Sequence, residues 1–143
     1  MTKAAQNALK NLKTATYIMI AGPTASGKSQ LAVDLACQLD GEVINADSMQ
    51  LYVDLSILSA RPSKADMQDI PHHLYGVIDG GHRASVAEWL ELAATAMTAI
   101  WARGKMPIIT GGTGMYLDAA VTGLAPIPVV PANIHEDCMA LFD

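Results

Sequence analysis

Cysteine is scarce: Cys37 and Cys138 are the only two in 143 residues, with no Cys-x-x-Cys pair. That excludes a disulfide framework, and two reduced thiols in a reducing, cytoplasmic compartment are the expectation. A cationic surplus is also missing. Nine Lys and Arg against fourteen Asp and Glu leave a formal net charge of −5, so there is no general basic footprint for nucleic acid and any RNA contact has to be local. No apolar run approaches the roughly 20 residues that span a bilayer, and no membrane segment is expected. Met1 to Thr16 carries Lys3, Lys10 and Lys13 but neither an apolar core nor a cleavage-like site. It is therefore not a secretory signal, and a flexible or weakly helical N-terminal extension is expected over 1–16. The histidines lack ligand spacing: His72 and His73 are adjacent and diverge, while His82 and His135 stand apart, so no metal centre is expected on them and their role stays open. There is no internal repeat, and nothing predicts a protein partner.

What the sequence does contain is a phosphate-binding loop in its proper setting. Gly22-Pro23-Thr24-Ala25-Ser26-Gly27-Lys28-Ser29 follows the short apolar run Tyr17 to Ala21, which reads as a buried strand. Leu31, Ala32, Leu35, Ala36 and Leu39 then recur at helical spacing. In this order the glycines let successive amides face one point, and the helix start adds its partial positive charge there. Lys28 can reach terminal phosphates and the Ser29 hydroxyl can ligate Mg²⁺, which predicts a magnesium-bound diphosphate or triphosphate.

Further along, Asp40-Gly41 stops the helix and Glu42 to Asp47 reads as a second strand that delivers Asp47 at its carboxyl end. Ligands bind at that end of open α/β sheets. Leu51 to Ile57 alternates and fits an edge strand or an irregular loop, and residues 60–71 read as a surface connection with a short helix in the middle. Leu74 to Asp79 is a candidate third strand. Ser85 and Glu88 form a capping box for a helix whose stripe of Val86, Trp89, Leu90, Ala93, Met97, Ile100 and Trp101 reads as core, with Gly104 after its last turn. Met106 to Thr110 is another buried strand, running into Gly111-Gly112-Thr113-Gly114 and a short helix that ends at Gly123. Alternating strands and helices imply an α/β fold with a parallel sheet flanked by helices. Beyond Ala125 the prolines break regular structure, and Ile134 to Phe142 reads as the start of another helix.

Several side chains in this frame carry chemistry. Asp47 has two jobs open to it, water-mediated magnesium binding or general base catalysis, besides simply capping the turn that follows. Gln50 suits a purine edge, though such a side chain also lives well in solvent. Gly111 to Gly114 is a second glycine-rich turn whose Thr113 hydroxyl could face the same cleft, and Arg61 could reach a phosphate.

Four blocks in one order carry a resemblance: Gly22 to Ser29, then Asn45-Ala46-Asp47-Ser48-Met49-Gln50-Leu51-Tyr52, then Ile70-Pro71-His72-His73-Leu74, then Gly111-Gly112-Thr113-Gly114-Met115-Tyr116-Leu117. Together they resemble the tRNA dimethylallyltransferases, over nearly everything from Tyr17 to Pro128. The resemblance implies a P-loop nucleoside-triphosphate-hydrolase-like fold. It also implies transfer of a dimethylallyl group from dimethylallyl diphosphate to the exocyclic amine of the adenine beside a tRNA anticodon. In that reading Gly22, Pro23, Thr24, Ala25, Ser26, Gly27, Lys28 and Ser29 hold the diphosphate, with Mg²⁺ on Ser29. Asp47 is the general base, Thr113 sits near the reacting centre, and Ser48, Met49 and Gln50 line the adenine pocket with Asp47. The partners implied are the anticodon stem-loop and the prenyl diphosphate.

Two stretches depart from that pattern. Val53-Asp54 stands where relatives usually carry Arg-Gly, and Leu58-Ser59-Ala60-Arg61 where they carry Gly-Thr-Ala-Lys, which lowers local positive charge. The expected organisation is an N-terminal extension (1–16), a P-loop catalytic core (17–128) and the start of a helical RNA-binding region (129–143), as in a truncated chain. A small-molecule P-loop kinase, a transferase acting on free adenine nucleotides and a non-catalytic phosphate-binding remnant are the competing readings.

Overall fold

The computed structural model describes residues 16–125, together with Ile134 and Ala140. The expected N-terminal extension, but for Thr16, and the helix expected from Ile134 to Phe142, but for those two positions, lie outside the described residues.

Four parallel strands build the sheet: β1 (Ile18–Ala21), β2 (Gly41–Asn45), β3 (His72–His73) and β4 (Met106–Gly111), in the spatial order β1-β4-β2-β3. The helices are α1 (Lys28–Leu39), α2 (Lys64–Met67), α3 (Val86–Ala102) and α4 (Gly114–Thr122). This is the α/β class expected from the alternation of elements. Both central strands are covered on both faces, which is why they read as near-continuous apolar runs. Val43, Ile108 and Ile20 pack with Ala32 and Ala36 of α1 on one face. Ile44 and Ile109 pack on the other with Trp89, Met97 and Ile100 of α3 and with Tyr116 of α4.

The α3 stripe is core, as its spacing implies, with Trp89 and Ile100 fully buried. Trp89 stacks on Tyr116 at 4.5 Å between ring centroids, an offset-stacking distance worth about 0.5–1.5 kcal/mol beyond area burial. Only half of the capping box at the start of α3 forms. Ser85 Oγ accepts the Glu88 N–H at 3.1 Å, but the Glu88 carboxylate turns to His82 Nε2 at 2.8 Å. A complete capping box instead starts α2, where Ser63 and Asp66 cap each other.

The expected third strand over Leu74 to Asp79 is displaced. The edge strand is His72–His73, and Leu74 at φ 64° and Gly76 at φ 61° turn the chain away from the sheet. Leu51 to Ile57 is not an edge strand either: Met49–Leu51 and Val53–Leu55 are 3₁₀ turns, and only Tyr52 makes an isolated bridge, to Ile78. Period-two alternation there reflects one side of an irregular loop being buried at Leu51. The α1 stripe is also narrower than its spacing implies. Ala32, Val33 and Ala36 are buried, whereas Leu31 and Leu39 are exposed.

Candidate active site

Strand β1 ends at Ala21 and hands the chain to the Gly22–Ser29 loop, which turns into α1 at Lys28. Two residues take positive φ to make this turn, Ala25 at 61° and Gly27 at 85°. At Gly27 an added Cβ would meet open space, so the backbone conformation and not crowding is what favours glycine there. Pro23 gathers the loop: its carbonyl accepts from Ser26 Oγ at 2.8 Å and from Lys28 Nζ. The lysine is thereby folded over its own loop, and it lines a cavity of about 520 Å³.

That cavity is shared. Thr24 to Gln30 line one side, and Asp47, Met49 and Gln50 line the other. The strands that deliver the two sides are not neighbours: β4 lies between β1 and β2, with Ile20 and Asn45 in register with Thr110 on either side. Shared access comes from the strands being parallel, so that all three carboxyl ends open on the same side.

Asp47 is half-buried and its carboxylate accepts the Met49 N–H at 2.9 Å, which closes the turn after it. This leaves the second carboxylate oxygen for a ligand. Its backbone is fixed by Asn45, fully buried at the end of β2. Asn45 Oδ1 accepts the Asp47 N–H at 2.9 Å while Nδ2 donates to the carbonyls of Asp47 and Leu74 at 2.9 and 3.0 Å. The Asn45 carbonyl in turn accepts Trp89 Nε1–H at 2.8 Å, which ties the turn to the core of α3.

The second glycine-rich turn presses on the same segment. A Cβ on Gly111 would lie 2.2 Å from the Ala46 carbonyl, so only glycine allows β4 to pass so close. Thr113 N–H donates to the Ala46 carbonyl at 3.1 Å, and Thr113 Oγ1 accepts the Ser48 N–H at 2.9 Å. Thr113 therefore grips the Asp47–Ser48 turn from behind. Gln50 lines the cavity and donates through Nε2 to the Ser59 carbonyl at 2.9 Å. Arg61 spends its guanidinium on the carbonyls of Tyr52 and Val53, at 3.2 and 3.4 Å, which bends the 56–60 turn back onto the site.

Among the cavity residues that the sequence reading did not place in the site are Tyr75 and Thr110. Burial, helped by the nearby Asp47 carboxylate, pushes the Tyr75 phenol far above its usual range and keeps it neutral. Thr110 is 3% exposed and its Oγ1 has no hydrogen-bond partner. A polar residue at the last position of an apolar strand was the available signal. His72 and His73 serve the sheet edge instead of the cavity. His72 Nδ1 pairs with the Ile70 carbonyl at 2.8 Å, and His73 Nε2 with Glu42 at 2.7 Å.

This architecture has counterparts of known structure. Residues 50–141 match the family model for IPP transferase, and residues 15–79 match that for isopentenyl transferase. The tRNA dimethylallyltransferase of Hyphomonas neptunium is 52% identical over 126 residues, 88% of this chain and 40% of that protein. That of Rhodospirillum rubrum is 54% identical over 129 residues, 90% of this chain and 40% of the relative. The full-length tRNA isopentenylpyrophosphate transferase of Bacillus halodurans superposes with a TM-score of 0.75 at 37% identity, over 90% of this chain and 43% of that one. A eukaryotic dimethylallyltransferase acting on tRNA gives 0.75 at 33% identity, over 82% and 31%. The chain thus spans about 40% of the length of the curated relatives it matches. Since the match to the IPP transferase model covers more than half of the chain, from Gln50 past the second glycine-rich turn, this protein belongs to the IPP transferase family.

Proposed function

We propose that this chain carries the donor-binding and proton-accepting half of a tRNA dimethylallyltransferase. The observation that supports it is that Lys28 and Asp47, delivered by strands that do not touch, line one cavity. Gly22 to Ser29 hold the diphosphate of dimethylallyl diphosphate, with Lys28 as the charge on its terminal oxygens. Met49 and Gln50, which line the cavity, take the exocyclic-amine edge of an adenine turned out of the anticodon loop, and Ser48 stands in the turn between them and Asp47.

The amine nitrogen attacks the allylic carbon as the carbon–oxygen bond breaks, and that electron pair leaves on the diphosphate. An adenine amine is a weak nucleophile because its lone pair is delocalised into the ring. Asp47 accepts the proton released as the nitrogen–carbon bond forms, a role worth on the order of 10²–10⁴ in rate. Thr113 holds the Asp47–Ser48 turn at the reacting centre through the Ser48 amide.

Magnesium suits the donor set, since Ser29 offers a hard hydroxyl oxygen on the cavity beside Lys28 and such ions take one or two protein oxygens plus phosphate. When bound, it neutralises charge on the departing diphosphate. The test, made on a full-length protein carrying this segment, is radiolabelled dimethylallyl diphosphate with an anticodon stem-loop and, separately, with AMP or with ATP and no prenyl donor. Label in the RNA alone supports this reading. Label in AMP makes the substrate a free nucleotide, ATP consumption makes the protein a kinase, and diphosphate binding without transfer makes it a binding remnant.

A further inference from the structure

We infer that the Thr110 hydroxyl is a further ligand contact of the cavity, donating to an oxygen of the diphosphate held by the Gly22–Ser29 loop. The inference rests on the donor-site reading above.

Alternation along β4 sets the side chain's direction. Ile108 packs on the α1 face and Ile109 on the α3 face, so Thr110 returns to the α1 face. That is the side on which α1 begins, with Lys28 in its first turn. Thr110 is also the last residue but one of the strand lying between β1 and β2, in register with Ile20, just ahead of the loop that carries Lys28, and with Asn45, just ahead of the turn that carries Asp47. It lines the cavity they share.

Among the described residues, Thr110 Oγ1 is the buried side-chain polar atom left without a hydrogen bond. Its cross-strand neighbour gives no help, because both hydrogens of the Asn45 amide are directed to the Asp47 and Leu74 carbonyls. The Thr110 backbone carbonyl is taken as well, by the Ala46 N–H at 2.8 Å. A buried hydroxyl with no partner is a desolvation cost that valine, of the same shape, would avoid. The hydroxyl is accounted for if an anion in the cavity accepts its proton, and a hydrogen bond to a charged acceptor is among the stronger kinds.

Titration of the chain with inorganic pyrophosphate and Mg²⁺ by calorimetry, alongside melting without ligand, tests this. Thr110→Val is expected to weaken pyrophosphate binding about tenfold or more while leaving the unliganded Tm unchanged or raised. Thr110→Ser, which restores the hydroxyl, is expected to recover most of the affinity. If the valine variant binds as tightly as the unmodified chain, or melts lower with its affinity intact, the hydroxyl serves only the unliganded fold and the inference is overturned alone. If the unmodified chain binds no pyrophosphate, the donor-site reading and this inference go together.

Discussion

Asn45 holds Asp47 by both of its backbone groups, accepting the N–H and donating to the carbonyl, each at 2.9 Å. The amide is fully buried and spends its remaining hydrogen on Leu74, a residue at positive φ. In the proposed role of base, the Asp47 carboxylate gains from a backbone that cannot drift. Asn45→Ala removes three hydrogen bonds and strands the groups they satisfied, at a cost of about 2–4 kcal/mol. Urea denaturation should show the loss as a lower midpoint with little change in slope.

Asp47→Ala separates chemistry from donor binding. In a full-length transferase carrying this segment, prenyl transfer is expected to fall by about 10²–10⁴ with pyrophosphate affinity nearly unchanged. Transfer at the original rate would remove Asp47 from the role of base.

Lys28→Ala should have the opposite profile. Its ammonium is folded over the loop by the Pro23 carbonyl and faces the cavity. Pyrophosphate binding measured by calorimetry should weaken about tenfold or more, and the melting temperature without ligand should barely move because the side chain lies at the surface.

Gly111→Ala places a methyl group 2.2 Å from the Ala46 carbonyl carbon and oxygen, both of them backbone. No side-chain rotation relieves that contact, so either β4 or the Asp47 turn must shift. A loss of about 3 kcal/mol is expected, together with loss of transfer. Thermal melting of this variant beside Gly112→Ala, whose added methyl has room, isolates the close approach.

Glu42 and His72 should each lower stability on the acid side. Burial raises the Glu42 carboxyl, but hydrogen bonds from Arg103 and His73 outweigh it and hold the carboxyl below its usual value. Burial also holds His72 below the usual imidazole value, reinforced by His73 and opposed by the Ile70 carbonyl. In both cases the unfolded chain binds more protons than the folded one, so stability rises with pH. The His72 contribution begins to fade below about pH 6.5 and that of Glu42 below about pH 4.3, the unfolded values, and each is lost as the pH drops through the lower folded value. Melting curves from pH 7 down to 3 should show a decline, and Glu42→Gln should flatten its lowest part.

Local pattern in the chain determined the strand, loop and helix around Lys28, the cap of α3 at Ser85, the apolar stripe from Trp89 to Ile100 and the buried strand that runs from Met106 through Thr110. These depend on contacts between near neighbours and on periodicity, which one dimension records. Tertiary structure alone decided that β4 inserts between the strands bearing Lys28 and Asp47. It also turned Leu74 to Asp79 out of the sheet, gave Arg61 to backbone carbonyls, and made Gly111 a point of backbone contact with Ala46. Each of those outcomes depends on which distant segment arrives alongside, and strand order is set by packing on both faces of the sheet at once, a constraint that no short window of residues contains.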